Sequence, residues 1–100
     1  MNKNNNSGRD ILYRAILSLK DEDECAAFFE DIGTIQEIDA LAQRFEVAMA
    51  LDEGNSYIDI NKKTGASTAT ICRVSRSLNY GAGGYKTIIG RLKENNEQNR

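Results

Sequence analysis

A chain of 100 residues, 40% of them hydrophobic and 28% charged, fits one globular domain with one core, and at this size burial is often completed by self-association. Histidine is absent, Cys25 and Cys72 stand apart, and there is no GxGxxG, phosphate-binding loop or nucleophile elbow, so the reading is of a protein that is not an enzyme and needs no cofactor or metal. The formal net charge of −2 conceals a strong polarity between an acidic first half and a basic second half.

The first eight residues are polar and rich in asparagine, and they read as a disordered arm. They lack the apolar stretch of a signal peptide, and no later run has the length of a membrane-spanning helix. The expectation is a cytoplasmic protein that engages no membrane and keeps both cysteines reduced. From Asp10 the apolar positions Ile11, Leu12, Ala15, Ile16 and Leu19 fall at helical spacing. Asp21 or Asp23 is placed to cap a second helix carrying Cys25, Ala26, Phe28, Phe29 and Ile32, and Gly33 can end it. Thr34-Ile35-Gln36-Glu37 has the form of a capping box, with hydroxyl and carboxylate each accepting from the other residue's amide. The longest helix follows, over about residues 35–53. Its stripe of Ile35, Ile38, Ala42, Phe45 and Met49 is widened by Leu41, Ala48 and Leu51, which calls for burial against more than one neighbour. Phe28, Phe29 and Phe45 read as core. Gly54 supplies a left-handed stop.

After Gly54 the pieces shorten. Asn55 or Ser56 caps a helix from Tyr57 to Thr64, with Ile58 and Ile60 among its apolar positions. Gly65-Ala66-Ser67 forms a tight turn, and Ser67 caps a helix running to about Leu78. There Ile71, Val74 and Leu78 share one face, while Thr68, Ala69, Cys72, Arg76 and Asn79 lie opposite. Gly81, Gly83 and Gly84 break the chain before a last helix with Tyr85, Ile88, Ile89 and Leu92, and residues 95–100 read as a disordered tail. The fold class is all-α, with about six helices in a single domain over residues 9–94.

A short helix, a glycine-containing turn and a second helix with one apolar face make a helix-turn-helix over about residues 57–78. It falls in the basic half. Residues 57–93 hold seven basic groups and one acidic group, whereas residues 1–56 hold five basic and twelve acidic groups. A basic face on an acidic protein suits phosphate, whose neutralisation dominates affinity for duplex DNA. Thr68 and Ala69 are small enough to let the second helix approach base edges, and Cys72 faces the same way. Ser67, Lys62, Lys63 and Arg76 are suited to phosphates. The other readings of the same motif are an αα-hairpin that only packs, or a scaffold that binds a protein of the transcription machinery.

The stretch from Thr34, TIQEIDALAQRFEVAMALDEGNSYIDI and then KKTGASTATICRVSRSL, resembles the tryptophan repressor family, and most closely its branch found in low-GC Gram-positive bacteria. The resemblance implies a transcriptional regulator, a repressor, built as an intertwined homodimer whose N-terminal helices share one core. Two helix-turn-helix units would then meet successive major grooves of a palindromic operator on the nucleoid. In these repressors a bound amino acid sets the spacing of the reading heads. By position, Arg44 and Arg73 match the two arginines that sandwich the ligand's ring, since guanidinium planes stack on aromatic faces. Thr34 and Ser77 match hydroxyl positions near the ligand's carboxylate and amino group, and Thr70 falls where the family also has threonine. Plainer uses stand beside these: Thr34 caps a helix, Arg44 can pair with Glu37 or Glu46, and Arg73 can touch phosphate. One position departs. Val74 stands where tryptophan repressors have glycine, and overpacking a closed pocket costs roughly 1–3 kcal/mol, about tenfold to a hundredfold in affinity. The expectation is therefore a free amino acid other than tryptophan, smaller or more polar, such as histidine, or no effector at all.

Overall fold

The computed structural model describes residues 7–98, and its regular structure there consists of six helices with no strand. They are α1 (Gly8–Leu17), α2 (Glu22–Ile32), α3 (Ile35–Asp52), α4 (Tyr57–Thr64), α5 (Thr68–Tyr80) and α6 (Gly84–Gln98). The chain divides into two compact units, Met1–Ile38 and Asp39–Arg100. The division falls inside α3, whose first turns carry no buried residue and whose last turns carry Val47, Ala48 and Ala50.

In the first unit each helix starts on a side-chain cap. Ser7 accepts from the Asp10 amide at 3.2 Å, which starts α1 inside the stretch expected to be a disordered arm; the rest of that arm lies outside the described residues. Asp21, not Asp23, caps α2 by accepting from the Glu24 amide at 2.8 Å, and the Glu24 carboxylate accepts from the Lys20 amide at 3.0 Å. Acidic Glu22, Asp23 and Glu24 fill the first turn, where the helix dipole favours them. Gly33 ends α2 in extended backbone, with φ of −125°, so the chain leaves the helix without a left-handed cap. The capping box forms as its sequence requires. The Thr34 amide donates to Glu37 Oε1 at 2.8 Å, and the Glu37 amide donates to Thr34 Oγ1 at 3.0 Å. Thr34→Ala removes one half of it and is expected to cost about 1 kcal/mol in a urea titration.

Neither α1 nor α2 contains a buried residue. Phe28 and Phe29 meet edge-to-face with centroids 5.6 Å apart, yet both are only half-buried, so the core expected of them is not completed in this unit. Leu17 is 83% exposed and Ile35 76%.

The second unit holds the core: Val47, Ala48 and Ala50 from α3, Ile60 from α4, Ala66 from the turn, Ile71, Val74 and Leu78 from α5, and Ile89 from α6. Phe45, Met49, Leu51 and Tyr85 pack against it half-buried. Between residues 45 and 51 α3 is thus covered almost all round: Ala48, expected on the apolar face, is fully buried, and so is Val47, while Ala50 is nearly so, although neither of the last two lay on the stripe the sequence suggested. A Schellman motif closes α3: Gly54, at φ of 89°, donates to Leu51 O, and the Asn55 amide donates to Ala50 O. Ser56 and Ser67 cap α4 and α5, each accepting at 3.2 Å from the amide three residues on. Helix α6 continues to Gln98, four residues into the expected tail. Glu94, Asn95, Asn96 and Glu97 include no glycine or proline to stop it, and residues 99 and 100 lie outside the described residues. Lys93 Nζ sits 2.6 Å from Asp52 Oδ2, and this hydrogen bond raises the lysine pKa above its ordinary value.

Candidate nucleic-acid interface

The helix-turn-helix is α4, the turn 65–67 and α5. Gly65 takes a left-handed φ of 75° and its amide donates to Asn61 O at 2.9 Å, so a residue with a Cβ is strained there although nothing crowds the space. Gly65→Ala is expected to lower stability by about 1–2 kcal/mol, measured by thermal or urea unfolding at fixed protein concentration. Beyond the turn, α5 buries Ile71, Val74 and Leu78 and turns its other side to solvent, the division the apolar spacing indicated.

On that outer side the side chains fall in rows. Thr68, Cys72 and Arg76, four residues apart, form one; Ala69, Arg73 and Ser77 form the next. All six are exposed, as are Ser67 and, on α4, Lys62 and Lys63. Among the described residues none of Lys62, Lys63, Arg73 and Arg76 forms an ion pair, so their charges stay uncompensated at the surface. All seven residues singled out for DNA contact thus lie exposed on one contiguous motif. What this arrangement offers chemically is a small-residue ridge at the start of a helix, flanked by hydroxyls and cations.

The residues matched to an effector site are less unified. Thr34 belongs to the first unit, while Arg44, Thr70, Arg73 and Ser77 belong to the second. Arg44 is half-buried and makes no ion pair with Glu37 or Glu46 among the described residues. Thr70 Oγ1 accepts from Ser67 Oγ at 3.2 Å and serves the helix start. Val74 is 1% exposed, its methyl groups engaged in the core with Ile71 and Leu78.

Of these five residues Ser77 alone lines the open apolar cavity of about 570 Å³ in the second unit, with Phe45, Gly81, Gly84, Tyr85 and Ile88. The Phe45 and Tyr85 rings tilt together there at 6.3 Å. Gly81 is required by close approach: a Cβ would collide with the Ser77 carbonyl oxygen. Sequence reasoning did not find this cavity, although the glycines after Tyr80 were its signal. It also passed over Asn61 and Thr64, whose side chains bind Ala66 in the turn, and Gln43, which binds the Thr64 carbonyl at the end of α4; Asn and Thr beside a turn glycine are the signal for the first two.

Residues 7–93 match the family model of the Trp repressor protein. The chain is 58% identical over 85 residues to the uncharacterised protein YerC of Bacillus subtilis, covering 85% of this chain and 82% of that one. Among solved structures, a TrpR like protein from Eubacterium eligens superposes with a TM-score of 0.84 at 56% identity, covering 92% of this chain and 96% of that chain. A candidate Trp repressor from Staphylococcus aureus gives a TM-score of 0.83 at 42% identity, covering 93% and 95%. All three come from low-GC Gram-positive bacteria.

Proposed function

The chain belongs to the Trp repressor family, and from that premise we propose that it is a sequence-specific DNA-binding repressor acting as a homodimer on a palindromic operator. The observation that carries this reading is the two-sidedness of α5, with one face locked in the core and the other presenting Thr68, Ala69 and Cys72 between Ser67, Arg76 and the α4 lysines. In this reading Thr68, Ala69 and Cys72 meet base edges, and Lys62, Lys63, Ser67 and Arg76 hold phosphates. The homodimer is supported by the first unit, where α1 and α2 bury nothing while Ile11, Tyr13, Leu17, Ile32 and Ile35 stay more than half exposed. So much apolar surface on α1, α2 and the start of α3 needs a partner, and a second copy supplies one with matching symmetry.

The effector, in the same proposal, is a free amino acid other than tryptophan, smaller or more polar, such as histidine. Within the second unit Arg44 and Arg73 flank it, and Thr70 and Ser77 offer hydroxyls. What supports this is the presence of these residue types at the positions matched to the ligand, together with Val74 at the position where tryptophan repressors have glycine, although its side chain is taken up by the core. The protein acts in the cytoplasm, on the nucleoid.

Fluorescence anisotropy with a random-sequence duplex, titrated between 50 and 200 mM salt, tests the phosphate face, and sedimentation velocity tests the dimer. A DNA reader loses affinity steeply over that range, with log K falling linearly in log salt. A sedimenting dimer with no salt-dependent DNA binding would instead favour the scaffold that binds a protein.

A further inference from the structure

The geometry points to Gln43, Asn61 and Thr64 as a polar clasp that sets the angle of the reading helix, making these three positioning residues for base recognition. This inference rests on the DNA-binding reading given above.

The clasp centres on Ala66, which lies between the left-handed Gly65 and the α5 cap Ser67 and is 1% exposed. Its backbone is therefore largely out of water, and both its polar groups need partners inside the protein. Side chains of α4 supply both. The Ala66 amide donates to Thr64 Oγ1 at 3.1 Å, and Asn61 Nδ2 donates to the Ala66 carbonyl at 2.8 Å. Thr64 Oγ1 is held in turn, since its own proton goes to the Ile60 carbonyl at 2.8 Å. The third arm comes from outside the motif: Gln43 Nε2, on α3, donates to the Thr64 carbonyl at 3.2 Å. One arm thus ties the end of α4 to the scaffold helix, and two arms tie the first residue after the turn glycine to α4.

Thr68 and Ala69 follow Ala66 by two and three residues, so any shift of Ala66 is carried directly to the residues aimed at base edges. Base readout depends on sub-ångström placement, whereas exposed cations on long side chains reach phosphates from a range of angles. Loosening the clasp therefore degrades discrimination between sequences and leaves sequence-independent binding in place.

The test uses the full chain and two duplexes of equal length, one the genomic fragment most enriched by the wild-type protein and the other of random sequence. Thr64→Val, which keeps the shape and removes the hydroxyl, and Gln43→Leu, which cuts the scaffold tie, are each expected to lower the affinity ratio between the duplexes by about tenfold or more, the size of one lost base contact. Affinity for the random duplex and its salt slope stay within about twofold, because the phosphate contacts are intact. Thr64→Ser, retaining the hydroxyl, restores the ratio. Amide hydrogen exchange at Ala66, measured without DNA, rises in Thr64→Val and not in Thr64→Ser. An unchanged ratio in Thr64→Val and Gln43→Leu, or an unchanged Ala66 exchange rate in Thr64→Val, overturns the clasp. A wild-type protein that binds neither duplex overturns the DNA reading, and the exchange rates still report on whether the clasp exists.

Discussion

Ile71→Ala is expected to lower the free energy of unfolding by about 2–5 kcal/mol, the range for removing a fully buried aliphatic side chain and leaving a cavity. Ile71 is 0% exposed at the centre of the second unit's core, with Ile60, Val47 and Val74 buried in the same cluster. Ile58 provides the control: on the neighbouring helix α4 it is 71% exposed, and Ile58→Ala should change stability by no more than about 0.5 kcal/mol. Urea unfolding at one protein concentration measures both, and the slope with denaturant should stay the same if only stability has changed. Equal costs for the two isoleucines would mean that α5 does not bury its Ile71–Val74–Leu78 face. The division of α5 into a packed and a reading side would then fall with it.

Arg76→Ala should weaken binding to every DNA sequence by roughly tenfold, the worth of one charge-assisted contact, and reduce the salt slope by about 0.9. Arg76 is exposed, forms no ion pair among the described residues, and stands in the row that begins with Thr68 and Cys72. Thr68 occupies the other end of that row and should behave differently. Thr68→Ala alters the preferred sequence while the salt slope is kept, because a base-edge contact carries sequence information and no counterion release. Anisotropy titrations over a salt series separate the two effects. An Arg76→Ala protein with unaltered affinity and slope would show that the phosphate face lies elsewhere on the molecule.

Most of the motif's outline was legible in the sequence because it is written in short-range chemistry. The Thr34–Glu37 box, the cap at Asn55 or Ser56, the cap at Ser67, the left-handed Gly54 and the tight turn at Gly65 each depend on residues within a few positions of one another. The apolar face of α5 was equally plain, since one helix with one buried side has a simple period. The central helix was not. Which residues of α3 lie deepest depends on where α4, α5 and α6 return to it, so Val47 and Ala50 are buried beside Ala48 although spacing did not place them on the stripe. The same dependence hid the Phe45–Tyr85 cavity and the reach of Gln43 to the Thr64 carbonyl, a contact 21 residues long in sequence. The end of α6 was misjudged for a different reason. A polar run of Glu and Asn reads as tail by composition, yet it contains no residue that breaks a helix already begun.

Selection of genomic DNA fragments on the purified protein at near-physiological salt, with and without a mixture of amino acids, shows whether the protein reads a DNA sequence. The expected result is enrichment of a palindrome whose half-sites lie about one helical turn apart, the spacing that a two-fold pair of helix-turn-helix units requires. An amino acid other than tryptophan is expected to change the enrichment, and Arg44→Ala or Arg73→Ala to abolish that change. Recovery of no enriched sequence in either condition would overturn the DNA-binding reading and favour the scaffold that binds a protein.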